Sequence, residues 1–542
     1  MTRSVFDFED RFIFGAARPE AGPREAENGG ERGALHPTPV GTGAAGGLDS
    51  IVTHAIPAPK PAVATSAVTA AALPTFSNAR IADYLREGYW NDVGDTPHAF
   101  NMGSTGLGAN SGVLRYNVAG LNTAGIALAE RAMALYGEVL GITFQRTTST
   151  TSADILFVNE DANAAYSWAN YYLDNGAITQ AYVNVGSGWI SRYGTGTASY
   201  SYQTFLHEIG HALGLGHAGD YDGAATYVSN TTDASYGDNS NFYLNDSWQT
   251  TVMSYFSQTD NTSVDASRAF TLSPMVADWL ALAEIYGGVG GFAGNTTWGF
   301  NTTITTTVFA TLATYADKMA FTIVDGGGRD TVDFSGFSSA QRINLNPETF
   351  SSVGGMTGNM SIAVGTVIEN AKGGSGADVL TGNSAANVLY GLGGADQILG
   401  GSGKDTLRGG AGNDTLTGGA GADVLVGGAG SDVFRVTSAA HSSPSAPDTL
   451  RAGDGGAAFD GAGAASGDRI DLSGIDANTA VAGDQAFIFG GGTGRGYLWL
   501  TVDGADTIVK GNIDGDSAPE FQLVIEDGAT LASAYTASDF IL

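Results

Sequence analysis

Residues 204–219 read TFLHEIGHALGLGHAG, and three of the seven histidines in the chain, His207, His211 and His217, fall in this one stretch. Phe205, Leu206, Ile209, Ala212 and Leu213 recur as they would on the buried face of a helix. Four residues apart, His207 and His211 lie one turn above the other and reach a single ion. Gly214 lets the helix end in a left-handed turn, so the chain doubles back and His217 approaches as a third ligand. Three neutral imidazoles leave a fourth position for water on zinc, the arrangement of a catalytic rather than a structural site. Glu208, beside the first ligand, is placed to take the proton of that water. A bare H-E-x-x-H arises by chance, and buried histidines are often only hydrogen-bonded core residues. Here positions 207, 208, 211, 214 and 217 are all filled in a histidine-poor chain, and a zinc centre is expected.

The rest of the composition narrows the partners. A chain of 542 residues is too long for one hydrophobic core, so at least two domains are expected. Its 24 Lys+Arg against 55 Asp+Glu give a net charge of −31, which repels nucleic acid and anionic membranes and calls for cations. The absence of cysteine excludes disulfides, a thiol nucleophile and thiolate metal sites. The N-terminal MTRSVFDFEDRFIFGAARPEAG interleaves acids with aromatics and lacks the basic and apolar regions of a signal peptide. Apolar runs are too short to predict a membrane helix, and a soluble protein is expected.

Three regions follow along the chain. Residues 1–75, rich in Ala, Pro, Gly and charge, read as a flexible leader or pro-segment. Residues 76–290 turn globular: Asn122 or Thr123 caps a helix over AGIALAERAMALYGEVLG, in which Ile126, Met133, Tyr136 and Leu140 recur near helical spacing. GVLRYNV, ADILFVN and QAYVNVG read as strands. Ser273 as N-cap and Pro274 in the first turn announce a second helix through MVADWLALAEIYG, closed by the glycines at 287–288.

Residues 291–542 change to Gly, Asp, Asn and Thr. Between 373 and 435 lie seven in-phase nonapeptides, GGSGADVLT, GNSAANVLY, GLGGADQIL, GGSGKDTLR, GGAGNDTLT, GGAGADVLV and GGAGSDVFR. An acid recurs as Asp378, Asp396, Asp405, Asp414, Asp423 and Asp432, with Asn387 replacing it once. Leu380, Leu389, Ile398, Leu407, Leu416, Leu425 and Phe434 would point inward from a coil with two units per turn. So thin a core does not offset the ordering cost of the glycines, and stacked aspartates repel each other. Calcium resolves both difficulties: the Asp side chains and backbone carbonyls at Gly374, Gly376, Gly401, Gly403, Gly410, Gly412, Gly419, Gly421, Gly428 and Gly430 are the hard oxygen ligands it takes. The nonapeptide is itself a known calcium-binding parallel β-helix signature. A flexible linker has no reason to keep an apolar residue in phase with an acid. Such a module is unfolded where calcium is scarce and folds where it is abundant. The Asn387 and Leu392 units are expected to be weaker sites, one lacking a charge and the other a glycine.

Together, HEIGHALGLGH, the VMSYF of 252–256 and the nonapeptides resemble the serralysin group of secreted metalloproteases, within the metzincin clan, over residues 76 to 542. SPMVADWLALAEIYG, DGGGRDTVDFSG and VIENAKGGSGAD are similar to further segments of that family, and Asp539-Phe540-Ile541-Leu542 to the ending of type I secretion substrates. Ala218 stands where the family often has proline, and the leader is longer than expected.

The resemblance implies an α+β metzincin-like catalytic domain followed by an all-β parallel β-roll (RTX) domain. It implies Met253 as a hydrophobic floor beneath zinc and Tyr255 as a tyrosine that ligates zinc or swings away to support the oxyanion. Zinc would polarise the scissile carbonyl and Glu208 would shuttle the proton to the leaving amine. Substrate would lie extended along an edge strand above the zinc helix. The implied protein is a secreted zymogen, a monomer, exported by a type I apparatus, with protein or peptide substrates and, in many relatives, a proteinaceous periplasmic inhibitor. The alternative, a non-enzymatic calcium-binding RTX surface or adhesion protein, predicts the loss of Glu208 or a ligand, and the sequence keeps all of them. No G-x-S-x-G in a strand-to-helix context supports a lipase.

Overall fold

The structure is a computed structural model that describes residues 2–3, 72–221, 225–230, 239–288, 290–464, 466–528 and 532–542. Most of the expected flexible leader therefore lies outside the described residues. Its one described strand, β1 (Thr2–Arg3), pairs antiparallel with Tyr172 and Tyr171.

Ser77 accepts the Arg80 N–H at the start of α1 (Asn78–Asp83), which runs through a wider turn at Tyr84–Gly88 into α2 (Tyr89–Asp92). Of the two caps expected for the next helix, α3 (Thr123–Leu140), Asn122 is the one used, its Oδ1 accepting from Gly125 N–H at 2.8 Å. The helix ends at Gly141 with φ +67°. Met133, Tyr136 and Leu140 are buried as expected, and Ile126 is half-buried.

Helices α3, α4 (Ser187–Tyr193) and α5 (Tyr200–Ala212) accompany a six-stranded sheet. Its strands are β1, β2 (Val113–Asn117), β3 (Thr143–Arg146), β4 (Ile155–Val158), β5 (Ala165–Tyr172) and β6 (Ile178–Val185), in the order β1-β5-β6-β4-β2-β3. β5 runs antiparallel to β6, so apart from the two-residue β1 it forms the outer edge.

Helix α6 (Val276–Tyr286) begins two residues later than the sequence suggests, with Met275 rather than Ser273 as N-cap. The Ser273 hydroxyl accepts the Thr322 N–H at 2.9 Å, while Asp278 reaches back to the Met275 N–H at 2.7 Å. A distant strand thus takes the residue that local pattern assigned to the cap. The strands involved are β7 (Phe270–Thr271), which precedes Ser273, and β9 (Met319–Ile323), pairing in parallel with it; β8 (Thr297–Gly299) lies between them in sequence.

The nonapeptides wind as expected. Val379 pairs with Gln397 and Val388 with Thr406, a register of two units per turn. The coil makes one sheet of eleven strands and one of seven, with Leu380, Leu389, Ile398, Leu407, Leu416, Leu425 and Phe434 buried inside it. These residues belong to the same hydrophobic cluster as the core of the first 290 residues. The C-terminus is a strand too: Phe540 and Ile541 pair with Ile470 and Asp471, and Asp539 is buried, accepting from the Gly463 and Thr536 N–H groups.

One repeat is strained. At the position where Gly401, Gly410, Gly419 and Gly428 have φ between +100° and +111°, Leu392 is held at φ +79° with 40% of its surface exposed. A side chain in this region costs about 1–2 kcal/mol, against about 0.5–1 kcal/mol of extra chain entropy for glycine. Leu392→Gly is therefore expected to stabilise the calcium-loaded protein by about 0.5–1 kcal/mol in denaturant titration. A lower midpoint would mean that the packing of the leucine outweighs its strain.

Candidate metal centre

Helix α5 is buried along most of its length, and its position is fixed from both sides. Ser199 caps it by accepting from Tyr202 N–H, and the Tyr136 hydroxyl donates to Leu206 O at 2.7 Å. This places His207 and His211 on one face with their Nε2 atoms 3.1 Å apart. Gly214 then turns with φ +104°, packed so closely on the His98 carbonyl that a Cβ has no room. The turn is anchored by Trp90 Nε1–H donating to Gly214 O and by Gly216 N–H donating to Leu85 O. His217 consequently returns to within 3.0 Å, Nε2 to Nε2, of His211.

With Nδ1 of His207 and of His211 each against a backbone carbonyl, their Nε2 atoms present lone pairs to one another at 3.1 Å and call for a common acceptor, which His217 Nε2 also approaches. Ligands at about 2.0–2.1 Å from a tetrahedral zinc stand about 3.3 Å apart, close to what is seen here. The opposite ring nitrogens fix the tautomers: His207 Nδ1–H donates to Val252 O at 2.8 Å and His211 Nδ1–H to Leu215 O at 2.7 Å, leaving both Nε2 lone pairs to the metal. The residues fit the ion.

Around the triad, Glu208 is fully buried. Met253 lies beneath, its Sδ against Gly210. The Tyr255 ring stands 4.8 Å from that of His217 and 6.0 Å from that of His207, and packs on Tyr221, whose hydroxyl donates to buried Asp246. The mouth of the site is a pocket lined by Ser167, Trp168, Ala169 and Tyr171 of β5 together with His98, His211 and His217. His98 is sandwiched between Trp90 and Tyr171, with ring centroids at 4.3 and 4.5 Å, and burial lowers its pKa.

Sequence reasoning missed His98, Tyr221 and Asp278. Asp278 is fully buried on α6, and burial pushes its carboxyl up to about 6 against the pull of three donors. A histidine and a tyrosine outside any motif carry no local signal, and Asp278 stands inside MVADWLALAEIYG, which reads only as a helix.

The repeat residues form a second, separate set. From Asp396 onward, each repeat aspartate Oδ1 accepts the backbone N–H of the residue eighteen positions earlier: Asp378 donates to Asp396, Asn387 to Asp405, Asp396 to Asp414, Asp405 to Asp423 and Asp414 to Asp432. The ladder continues past the last repeat to Asp448 and Asp468. The other oxygen, Oδ2, of Asp396, Asp405, Asp414, Asp423 and Asp432 is buried with no hydrogen-bond donor among the described residues. Five such oxygens beside glycine carbonyls are a donor set for a hard cation. The first glycine of each repeat, absent from the expected ligands, is required by packing: at Gly391, Gly400, Gly409, Gly418 and Gly427 a Cβ would strike the aspartate oxygen.

The structure separates the first two units from the rest. Asp378 satisfies both oxygens with the Gln341 and Gly374 N–H groups, and the Asn387 amide donates to Glu369 O and Asn383 Oδ1. Outside the repeats, fully buried Asp330 also has an undonated Oδ2, next to Asp325, whose carboxyl burial and this neighbour push up to about 7.

Helix, returning loop, Met253 beneath it and sheet edge form an α+β unit followed by a parallel β-roll, the arrangement that the motif resemblance implies. Comparisons with known proteins agree. Residues 290–542 match the family model for the peptidase M10 serralysin C-terminal domain, and residues 163–278 that for peptidase M66. A serralysin of Photorhabdus luminescens is 42% identical over 257 residues, covering 47% of this chain and 51% of the relative. The metallopeptidase AprA of Pseudomonas marginalis is 37% identical over 275 residues, covering 47% and 53%. The solution structure of the AlgE6R3 subunit of the Azotobacter vinelandii mannuronan C5-epimerase is 27% identical, covers 31% of this chain and 78% of its own, and has a TM-score of 0.16. The chain spans about half the length of the curated relatives it matches. The resemblance to serralysin-type metalloproteases carried by the motifs is borne out by the family-model matches and the curated relatives.

The aspartate row has a pH signature. Burial, reinforced by neighbouring acids, raises Asp396 and Asp405 to about 7, Asp432 to about 6 and Asp448 to about 8. Carboxyls with folded pKa values above their unfolded value of about 4 favour the fold only while protonated. In chelator the roll is therefore expected to be most stable near pH 4 and to lose stability as pH rises through about 7. With calcium the dependence inverts, because binding displaces those protons and affinity climbs over the same window. Circular dichroism melts across pH, with and without calcium, test both signs; a cation-free roll that gains stability toward neutrality would contradict the assignment.

Proposed function

We propose that this chain is a secreted, calcium-dependent zinc endopeptidase that hydrolyses peptide bonds in extracellular proteins. The observation that carries the reading is the convergence of the His207, His211 and His217 Nε2 atoms beside buried Glu208 in a cleft edged by β5. Zinc in that position supplies Lewis acidity toward the scissile carbonyl and a water of lowered pKa.

The chain's own residues account for the remaining steps. β5 offers its backbone to an extended peptide, which adds as a further antiparallel strand and brings the scissile bond over the triad. Glu208 takes the proton of the attacking water on its carboxylate and returns it to the leaving amine. Tyr255 donates its hydroxyl to the oxygen on which negative charge develops, within an enclosed site where such a bond is worth more than in water.

Calcium on the row Asp396, Asp405, Asp414, Asp423 and Asp432 would turn a chain unfolded inside the cell into a folded one outside it. A fully buried oxygen without a donor is costly, and its pairing with a cation becomes folding free energy. Export through a type I apparatus by the C-terminal residues, an activation step that removes the leader, and a monomeric state complete the reading, with a periplasmic proteinaceous inhibitor as a possible partner. The scaffold alternative is not favoured, since the proton acceptor and every metal ligand are present.

Glu208→Gln is expected to bind zinc and fold like wild type but to cut casein about 10²–10⁴-fold more slowly in kcat/KM, the range for loss of a general base. Tyr255→Phe is expected to lower kcat with little change in KM. Folded, zinc-loaded wild type that leaves casein and other unfolded proteins intact after leader removal would sink the protease reading.

A further inference from the structure

A carboxylate with no cationic neighbour is expensive to bury, and Asp278 is fully buried. Capping α6 explains only part of its retention. One of its donors, the Met275 N–H, belongs to the first turn of that helix. The other two come from a segment more than twenty-five residues away: Val252 N–H at 2.8 Å on the same oxygen, and the Thr251 hydroxyl on the other. Thr251 Oγ1 in turn accepts the Met253 N–H at 3.0 Å. A single rigid carboxylate thereby fixes three consecutive residues, Thr251, Val252 and Met253.

Those residues are the ones that meet the metal ligands. The Val252 carbonyl accepts the Nδ1–H of His207, and Met253 packs under the α5 turn that links His207 to His211. We infer that Asp278 is a positioning residue of the metal centre: it holds the Val252 peptide so that its carbonyl orients the His207 imidazole. The inference rests on the reading of the triad as a metal site. A carboxylate does this where an amide fails, because both of its oxygens accept and the site presents only donors. An asparagine would turn its NH₂ toward an N–H or hydroxyl donor, leaving a buried donor unmet and the turn free to shift. Orientation of a ligand histidine by its second-sphere partner is worth about 10–100-fold in metal affinity.

The test is zinc affinity, measured by competition with a chromogenic chelator on the full-length, calcium-loaded protein without substrate. Asp278→Asn is expected to bind zinc 10–100-fold more weakly than wild type. Should that variant fail to fold, Thr251→Val, which removes one donor and leaves the carboxylate, is expected to weaken binding several-fold. Leu114→Ala, a buried truncation on β2, serves as the control for a general loss of stability and is expected to stay within two-fold of wild type. Wild-type affinity in the folded Asp278→Asn or Thr251→Val protein, or an equal loss in Leu114→Ala, would overturn the role of Asp278 alone. A wild type that takes up no zinc would remove the metal centre itself and the inference with it.

Discussion

A lone pair that faces other lone pairs cannot be satisfied by the protein that holds it, and both halves of this chain are organised around that constraint. In the first half, the Nε2 of His211 lies 3.1 Å from that of His207 and 3.0 Å from that of His217. In the second, five buried aspartate oxygens line a glycine coil without a donor. Each arrangement is held together by backbone groups on the far side of the same side chain. Carbonyls of Val252 and Leu215 take the Nδ1–H of His207 and His211, and backbone N–H groups take Oδ1 of the repeat aspartates. In both, backbone groups hold one side of the side chain and leave the other side facing its neighbours, which is the donor set a cation takes.

Much of this was legible because it is local. Spacings of four and six residues placed the histidines, and a period of nine gave the coil, its register and its apolar line. A short period repeated in phase leaves few alternatives. What escaped was long-range. Ser273 is an attractive N-cap in isolation, but Thr322, forty-nine residues on, claims its hydroxyl, and the helix starts at Val276 behind Met275. Asp278 looks like one more polar residue on a helix until the fold brings Thr251 and Val252 to it. His98 sits outside every motif and reaches the cleft only because the segment after α2 crosses the Gly214 turn. The first glycine of each repeat was visible, but its reason, an aspartate oxygen lying over it, needs three dimensions.

The two halves are less separate than their compositions suggest. Parallel pairing of Phe270–Thr271 with Met319–Ala320 carries the chain of contacts from the roll through Ser273 and Met275 to Asp278, and so to the turn beneath the histidines. Apolar residues on both sides of residue 290 share one cluster. A change of composition marks where the sequence changes its job, while packing marks where it stops being one body, and here the two do not coincide.

The ending of the chain has a consequence of its own. Asp539 is buried, and Phe540–Ile541 forms the last strand of the seven-stranded sheet beside Ile470 and Asp471. These residues are therefore a built part of the roll, with Asp539 and Phe540 enclosed and Ile541 and Leu542 half-buried at its edge, so that a change in them is felt by the sheet they complete.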